Sequence, residues 1–163
     1  MKRLLIPALL LMSCNNSPSL EGVKTFNYDG GDHQEGSIDY EVALPAGGPH
    51  NPRWQNCGVY NGELHEEYAV HSLEHGAVWI TYNTSLSKSD VLVLREAAAG
   101  RTHTLLSPRA DQKAAVTLTA WNAQLELDKA TDPRVQQFVQ TYEQAGTAPE
   151  IGASCSGAYS ETQ

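Results

Sequence analysis

The chain has 163 residues, with 11 Lys and Arg against 19 Asp and Glu and a formal charge of -8. That length suits a single domain with a core of its own. The acidic balance excludes nucleic acid as a partner and disfavours direct contact of the protein surface with anionic lipid headgroups.

Met1-Lys2-Arg3 is a short basic head, Leu4 to Met12 is apolar, and Leu11-Met12-Ser13-Cys14 ends the run with a small residue before a cysteine. This pattern reads as an export signal. The apolar run is far shorter than the roughly 20 residues that span a bilayer. The segment resembles a bacterial lipoprotein signal, which implies removal of residues 1–13 and a lipid on Cys14. A non-cleaved anchor and an ordinary secretory signal are the alternatives. Cleavage leaves 9 basic and 19 acidic side chains, a charge of -10, so membrane attachment is expected through the lipid alone.

Residues 14–36 are polar and rich in Gly, Ser, Asn and Asp, and are expected as the lipidated cysteine and a flexible tether, with one domain over 37–163. Ser37 to Leu44 alternates like a short strand and ends at Pro45. Gly47, Gly48, Pro49 and Pro52 surround His50 and predict an ordered loop. A short helix or tight turn is expected between Glu63 and Glu74, stopped by Gly76. Ala77 to Tyr82 is the strongest strand of the chain. Ser87 or Ser89 caps a helix carrying Val91, Leu92, Leu94 and Ala98 that stops at Gly100. Ala115 to Trp121 alternates as a strand. Asp132-Pro133 starts a last helix, with Val135, Phe138, Val139 and Tyr142 at helical spacing. The expected fold class is α+β: a small mixed or antiparallel sheet with two main helices packed on it. Cys57 and Cys155, the only cysteines after Cys14, are expected to pair in an oxidising compartment. Ligation of a metal by either thiolate is the alternative.

Val70-His-Ser-Leu-Glu-His-Gly76 places two imidazoles four residues apart, with a carboxylate beside the second. On a helix that spacing directs His71 and His75 from one face, a common way to grip a metal ion. His50, in its proline-constrained loop, is the candidate third ligand. His65 is a candidate fourth if the segment bends. The competing reading makes these histidines hydrogen-bonded members of the core. His33 in the tether and His103 in a loop are expected to be solvated, and Glu74 is expected to orient a ligand imidazole from behind. Imidazole ligands suit copper, zinc or nickel, and the stability order favours copper, with zinc the alternative. Both methionines lie in the signal, which excludes a thioether cuprous site. His71-Ser-Leu-Glu74-His75 also satisfies the H-x-x-E-H pattern of one zinc metallopeptidase class.

Gly48-Pro-His-Asn-Pro-Arg-Trp54, Cys57-Gly-Val-Tyr60, the histidine segment running into Ala77–Tyr82, Thr119-Ala-Trp121 and Ala148-Pro-Glu150 together resemble a bacterial family. That family is known mainly as an uncharacterised, mostly envelope-associated domain. The resemblance implies metal-site residues and an extracytoplasmic, envelope-anchored location, and no established reaction. The expected function is an exported, lipid-anchored copper-binding protein resembling a copper-only superoxide dismutase. Its substrate would be a small anion, steered by Arg53 because the surface as a whole is acidic. The alternatives are a non-catalytic copper carrier, a subunit of a larger envelope assembly, and the zinc peptidase.

Overall fold

The computed structural model describes residues 20–163, so the signal segment and Cys14 lie outside the described residues. In chain order the elements are β1 (Lys24–Thr25), β2 (Gly58–Val59), α1 (Glu66–Glu74), β3 (Val78–Tyr82), α2 (Lys88–Ala98), β4 (Thr104–Pro108), β5 (Val116–Ala120), β6 (Ala123–Leu127) and α3 (Arg134–Tyr142). The six strands form one mixed sheet in the order β1-β6-β5-β3-β4-β2.

β3 is rich in β-branched and aromatic residues and is buried on both faces, which explains its place at the centre of the sheet. β4 runs parallel to it, with Trp79 opposite Leu105, and α2 makes the crossover between them. β5 lies antiparallel on the other side and turns through Trp121-Asn122 into β6. Asn122 takes the left-handed conformation at φ 63, which asparagine tolerates better than most residues.

The alternation along β3 and β4 divides the interior into two cores. Val78, Ile80 and Leu106 point to the face covered by α2 and α3, where Leu94, Val135, Phe138 and Val139 pack. Trp79 and Leu105 point to the opposite face, where Leu64, Val70 and Leu73 of the α1 region meet Trp121. The α+β class holds, with a mixed rather than purely antiparallel sheet.

Ser87 caps α2 as expected, whereas at α3 Pro133 takes the N-cap position and the helix begins one residue later, at Arg134. Ser87 Oγ accepts from the Asp90 N–H, and Asp132 Oδ1 accepts from the Arg134 N–H at 2.9 Å. Ser37 to Leu44, by contrast, joins no strand. Ile38, Tyr40 and Leu44 are half-buried and Val42 is 46% exposed, so the alternation reports an extended strap lying on the domain without a ladder partner. Tyr40 secures that strap by donating from its hydroxyl to the Pro49 carbonyl at 2.6 Å. The expected tether also packs from Leu20 onward. β1 pairs with β6, and Trp121 Nε1 donates to the Tyr28 carbonyl.

Cys57 and Cys155 form a disulfide, with Cα atoms 5.3 Å apart across 98 residues of sequence. In the chain-entropy account a loop of this size is worth about 4 to 5 kcal/mol. Cys57 N–H also donates to the Cys155 carbonyl, so the C-terminal segment is stapled covalently and through the backbone to the loop that precedes α1. Among the described residues no helix is long and apolar enough to cross a membrane.

Candidate metal centre

α1 begins with Glu66 and Glu67, whose charges favour a helix N-terminus. Ala69, Val70 and Leu73 bury it against Trp79. His71, Glu74 and His75 stand at i, i+3 and i+4 and share one face. The helix ends at once after them. Gly76, at φ +92, donates its N–H to the Leu73 carbonyl while Ala77 donates to Ser72, a paired arrangement that closes the last turn. A Cβ at Gly76 would lie 2.5 Å from the Gln144 amide nitrogen, which itself donates to the His75 carbonyl.

Two other segments converge on that face. The Gly47–Asn51 loop delivers His50, and residues 30–34 run alongside it. The His50 N–H donates to the Asp32 carbonyl at 2.9 Å and Gln34 N–H donates to the His50 carbonyl at 2.8 Å. This short parallel bridge brings His33 beside His50. The rings of His33, His50 and His71 lie 4.8 to 4.9 Å apart, centroid to centroid. Gly30 permits the approach, because a Cβ there would sit 2.7 Å from Glu74 Oε1 and 2.6 Å from Pro149. The adjacent Gly31 N–H donates to Glu74 Oε1 at 2.5 Å.

Each ring of the three predicted histidine ligands is oriented by a backbone carbonyl. Nδ1 of His50 lies 2.8 Å from the Gly48 oxygen, that of His71 2.6 Å from Asn51 and that of His75 2.7 Å from Ser154. A carbonyl only accepts, so Nδ1 carries a proton in all three rings and Nε2 is the atom left to act as a ligand. These carbonyls fill the orienting role expected of Glu74. Glu74 instead turns inward. Its Oε2 lies 2.8 Å from His50 Nε2 and 3.7 Å from His33 Nε2. His50 and Glu74 are both fully buried, and neither His50 Nε2 nor Glu74 Oε2 has a directed hydrogen-bond partner.

Two acceptor atoms at 2.8 Å repel unless a positive charge lies between them. A proton meets that need by making His50 an imidazolium; a metal ion meets it by taking both lone pairs. The protonation tendencies reflect the same geometry. Burial opposes the charged form of His50, but the Glu74 carboxylate and the Gly48 carbonyl outweigh it and raise its pKa. Burial likewise opposes ionised Glu74, yet His50, the Gly31 N–H and His71 hold its pKa below the usual carboxylate range. His71 goes the other way: burial, resisted by the Asn51 carbonyl and reinforced by the neighbouring imidazoles, lowers its pKa to about 4. It is therefore a neutral ligand at ordinary pH.

The ligand atoms fall into two groups that share His71. His33, His50, His71 and Glu74 have ligand atoms within 4.8 Å of one another, and so do His71, His75 and Glu150. The predicted trio is thus divided, with His50 and His71 in one group and His71 and His75 in the other. Glu150 Oε2 lies 3.4 Å from His75 Nε2. His65 belongs to neither group. It precedes the first residue of α1, and its ring lies against Tyr68 and Tyr159. Arg53 is exposed, with its guanidinium 5.2 Å over the Tyr159 ring. His103, expected in solvent, bonds through Nε2 to the Ala153 carbonyl.

Sequence reasoning passed over His33 and Glu150 as ligands. His33 sits in a Gly- and Asp-rich stretch whose composition is that of a linker, and only its pairing with the His50 loop gives it a place. Glu150 had a signal, since Ala148-Pro-Glu150 is one of the motifs carrying the family resemblance.

Comparison with curated proteins and with solved structures found no match. A family model described as a protein of unknown function, DUF3105, matches residues 33–157, a span that opens on His33 and includes both ligand groups and both cysteines. The chain belongs to the DUF3105 family.

Proposed function

We propose that this chain is an extracytoplasmic copper-binding protein, anchored by a lipid on Cys14, whose four-donor site is His33, His50, His71 and Glu74. The observation that supports it is the pair of buried, unpartnered acceptors, His50 Nε2 and Glu74 Oε2, in a set where His50 and His71 are pre-oriented through Nδ1. Three imidazoles and one carboxylate suit a cupric ion, the highest in the stability order of divalent ions, with zinc as the alternative. The disulfide fits the oxidising compartment that the export-like N-terminus implies.

Binding and delivery of the ion is the function this geometry supports best. A bound copper would supply a centre able to alternate between two oxidation states, and the superoxide dismutase reading draws on the one accessible edge, His33, whose side chain is 41% exposed. That reading keeps Arg53 as its candidate guide for the anion, an exposed guanidinium lying 5.2 Å over the Tyr159 ring. The peptidase reading needs Glu74 to activate water, and Glu74 is fully buried with one oxygen on the Gly31 N–H and the other facing His50. A larger envelope assembly is the natural destination of a delivered ion.

Metal analysis of the protein purified from its native envelope tests the proposal. One copper per chain is expected, and His71→Ala should abolish its retention. A variant that holds copper with unchanged affinity would sink the assignment, and zinc in place of copper would move it to a zinc site. Copper-loaded protein with dismutase activity above free-copper controls would favour the redox reading over delivery.

A further inference from the structure

We propose that His75 and Glu150 form an outer station that captures the cation first and passes it to the buried station by exchange around His71. This inference rests on the metal-binding reading and adds a route and an order of events to it. His71 carries the argument. Its Nδ1 proton is committed to the Asn51 carbonyl, so the ring has one lone pair to give, at Nε2, yet His71 is a member of both ligand groups. One neutral imidazole nitrogen holds one ion. The two groups are therefore alternative positions for a single ion on either side of His71 Nε2.

The positions differ in access and charge. Glu150 is 49% exposed and its carboxylate lies 3.4 Å from His75 Nε2, so it presents a negative oxygen to solvent next to an oriented lone pair. In the inner station only His33 reaches solvent, at 41%, and it presents an imidazole where the outer station presents a carboxylate; Glu74 and His50 are fully buried. An exposed carboxylate raises the local concentration of cations and the rate of their capture. The inner station then offers more donors in a less solvated setting, where a charge-compensated ion is held more strongly. In the exchange His75 Nε2 and Glu150 Oε2 release while His50 Nε2 and Glu74 Oε2 take over, His71 stays bound throughout, and the proton shared by His50 and Glu74 leaves to solvent. No electron moves. The span of each group, 4.8 Å or less, makes this a ligand exchange rather than a diffusive step.

The test uses the full chain with cupric ion as the only probe, following loading by stopped-flow quenching of tryptophan fluorescence and affinity by competition with a chelator. Glu150→Gln, at an exposed position that leaves the fold intact, should keep one ion per chain at unchanged affinity but slow loading about tenfold or more. His50→Ala should keep the fast capture phase and lose affinity at least about 100-fold, more than is usual for an orienting partner. Parental loading rates in Glu150→Gln would overturn the proposal. So would two ions per chain, or a loss of affinity in His75→Ala as deep as in His50→Ala. If the unaltered chain retains no copper or zinc at all, the metal-binding reading itself fails, which is a separate result.

Discussion

The two faces of the sheet are built on different principles. The face under α2 and α3 is an apolar core of regular elements, in which Phe138, Val139, Leu118 and Ile80 are fully buried. The face under α1 has a smaller core around Trp79 and Trp121, and above it lie buried polar side chains brought in by irregular segments. Hydrophobic burial holds the first. A disulfide, backbone hydrogen bonds between loops and Nδ1 contacts to carbonyls hold the second. The division of labour allows a site of unpaired lone pairs to exist, because the stability of the sheet does not depend on satisfying them.

The largest test of this contrast is Phe138→Ala. Truncating a fully buried phenylalanine should cost about 3 to 5 kcal/mol, lowering the thermal midpoint while the fraction still folded binds metal normally. If metal affinity falls in step with stability, the two faces are one cooperative unit. Replacing Cys57 and Cys155 together by serine probes the other face. The expected loss is about 2 to 5 kcal/mol, and here metal loading should slow as well, since the bridge anchors the segment that contains Ser154, whose carbonyl orients His75 of the outer station.

Acid should act through His71. Its pKa is lowered from 6.5 to about 4, so the unfolded chain takes up a proton at a higher pH than the folded one. Metal-free protein should therefore lose stability as pH falls from about 6.5 toward 4, by an amount on the order of 3 kcal/mol for that group alone. His50 opposes this, because its raised pKa stabilises the folded state below about 6.5 and that contribution fades as pH rises through the folded value. Urea unfolding across this range should show a shallower pH slope in His71→Ala than in the parent; an unchanged slope would remove His71 as the sensor. The smallest effect is expected from Ser87→Ala, which deletes the cap of α2. It should cost about 1 kcal/mol and leave metal affinity untouched, so a shift in affinity would show coupling across the sheet.

Local signals sufficed wherever one residue type dictates a local backbone state or contact. Ser87, Asp132-Pro133, Gly76 and the aromatic, β-branched run of β3 each mark their element without reference to the rest of the chain. The α+β class and the histidine pair at i and i+4 were legible for the same reason, since helical periodicity is a local property. β4 and β6 were not, because Thr104–Pro108 and Ala123–Leu127 are short runs that become strands through their neighbours in the sheet. Nor was the composition of the site. His33 meets His50 only through a bridge between two loops, Glu150 meets His75 only because the C-terminal segment is stapled over α1, and Glu74 turns inward only because Gly30 and Gly31 let the backbone close over it. Such contacts join residues that lie far apart in sequence. Their geometry is set by chain packing, which is why the sequence by itself identified an imidazole pair and the tertiary structure alone decided which side chains share its lone pairs.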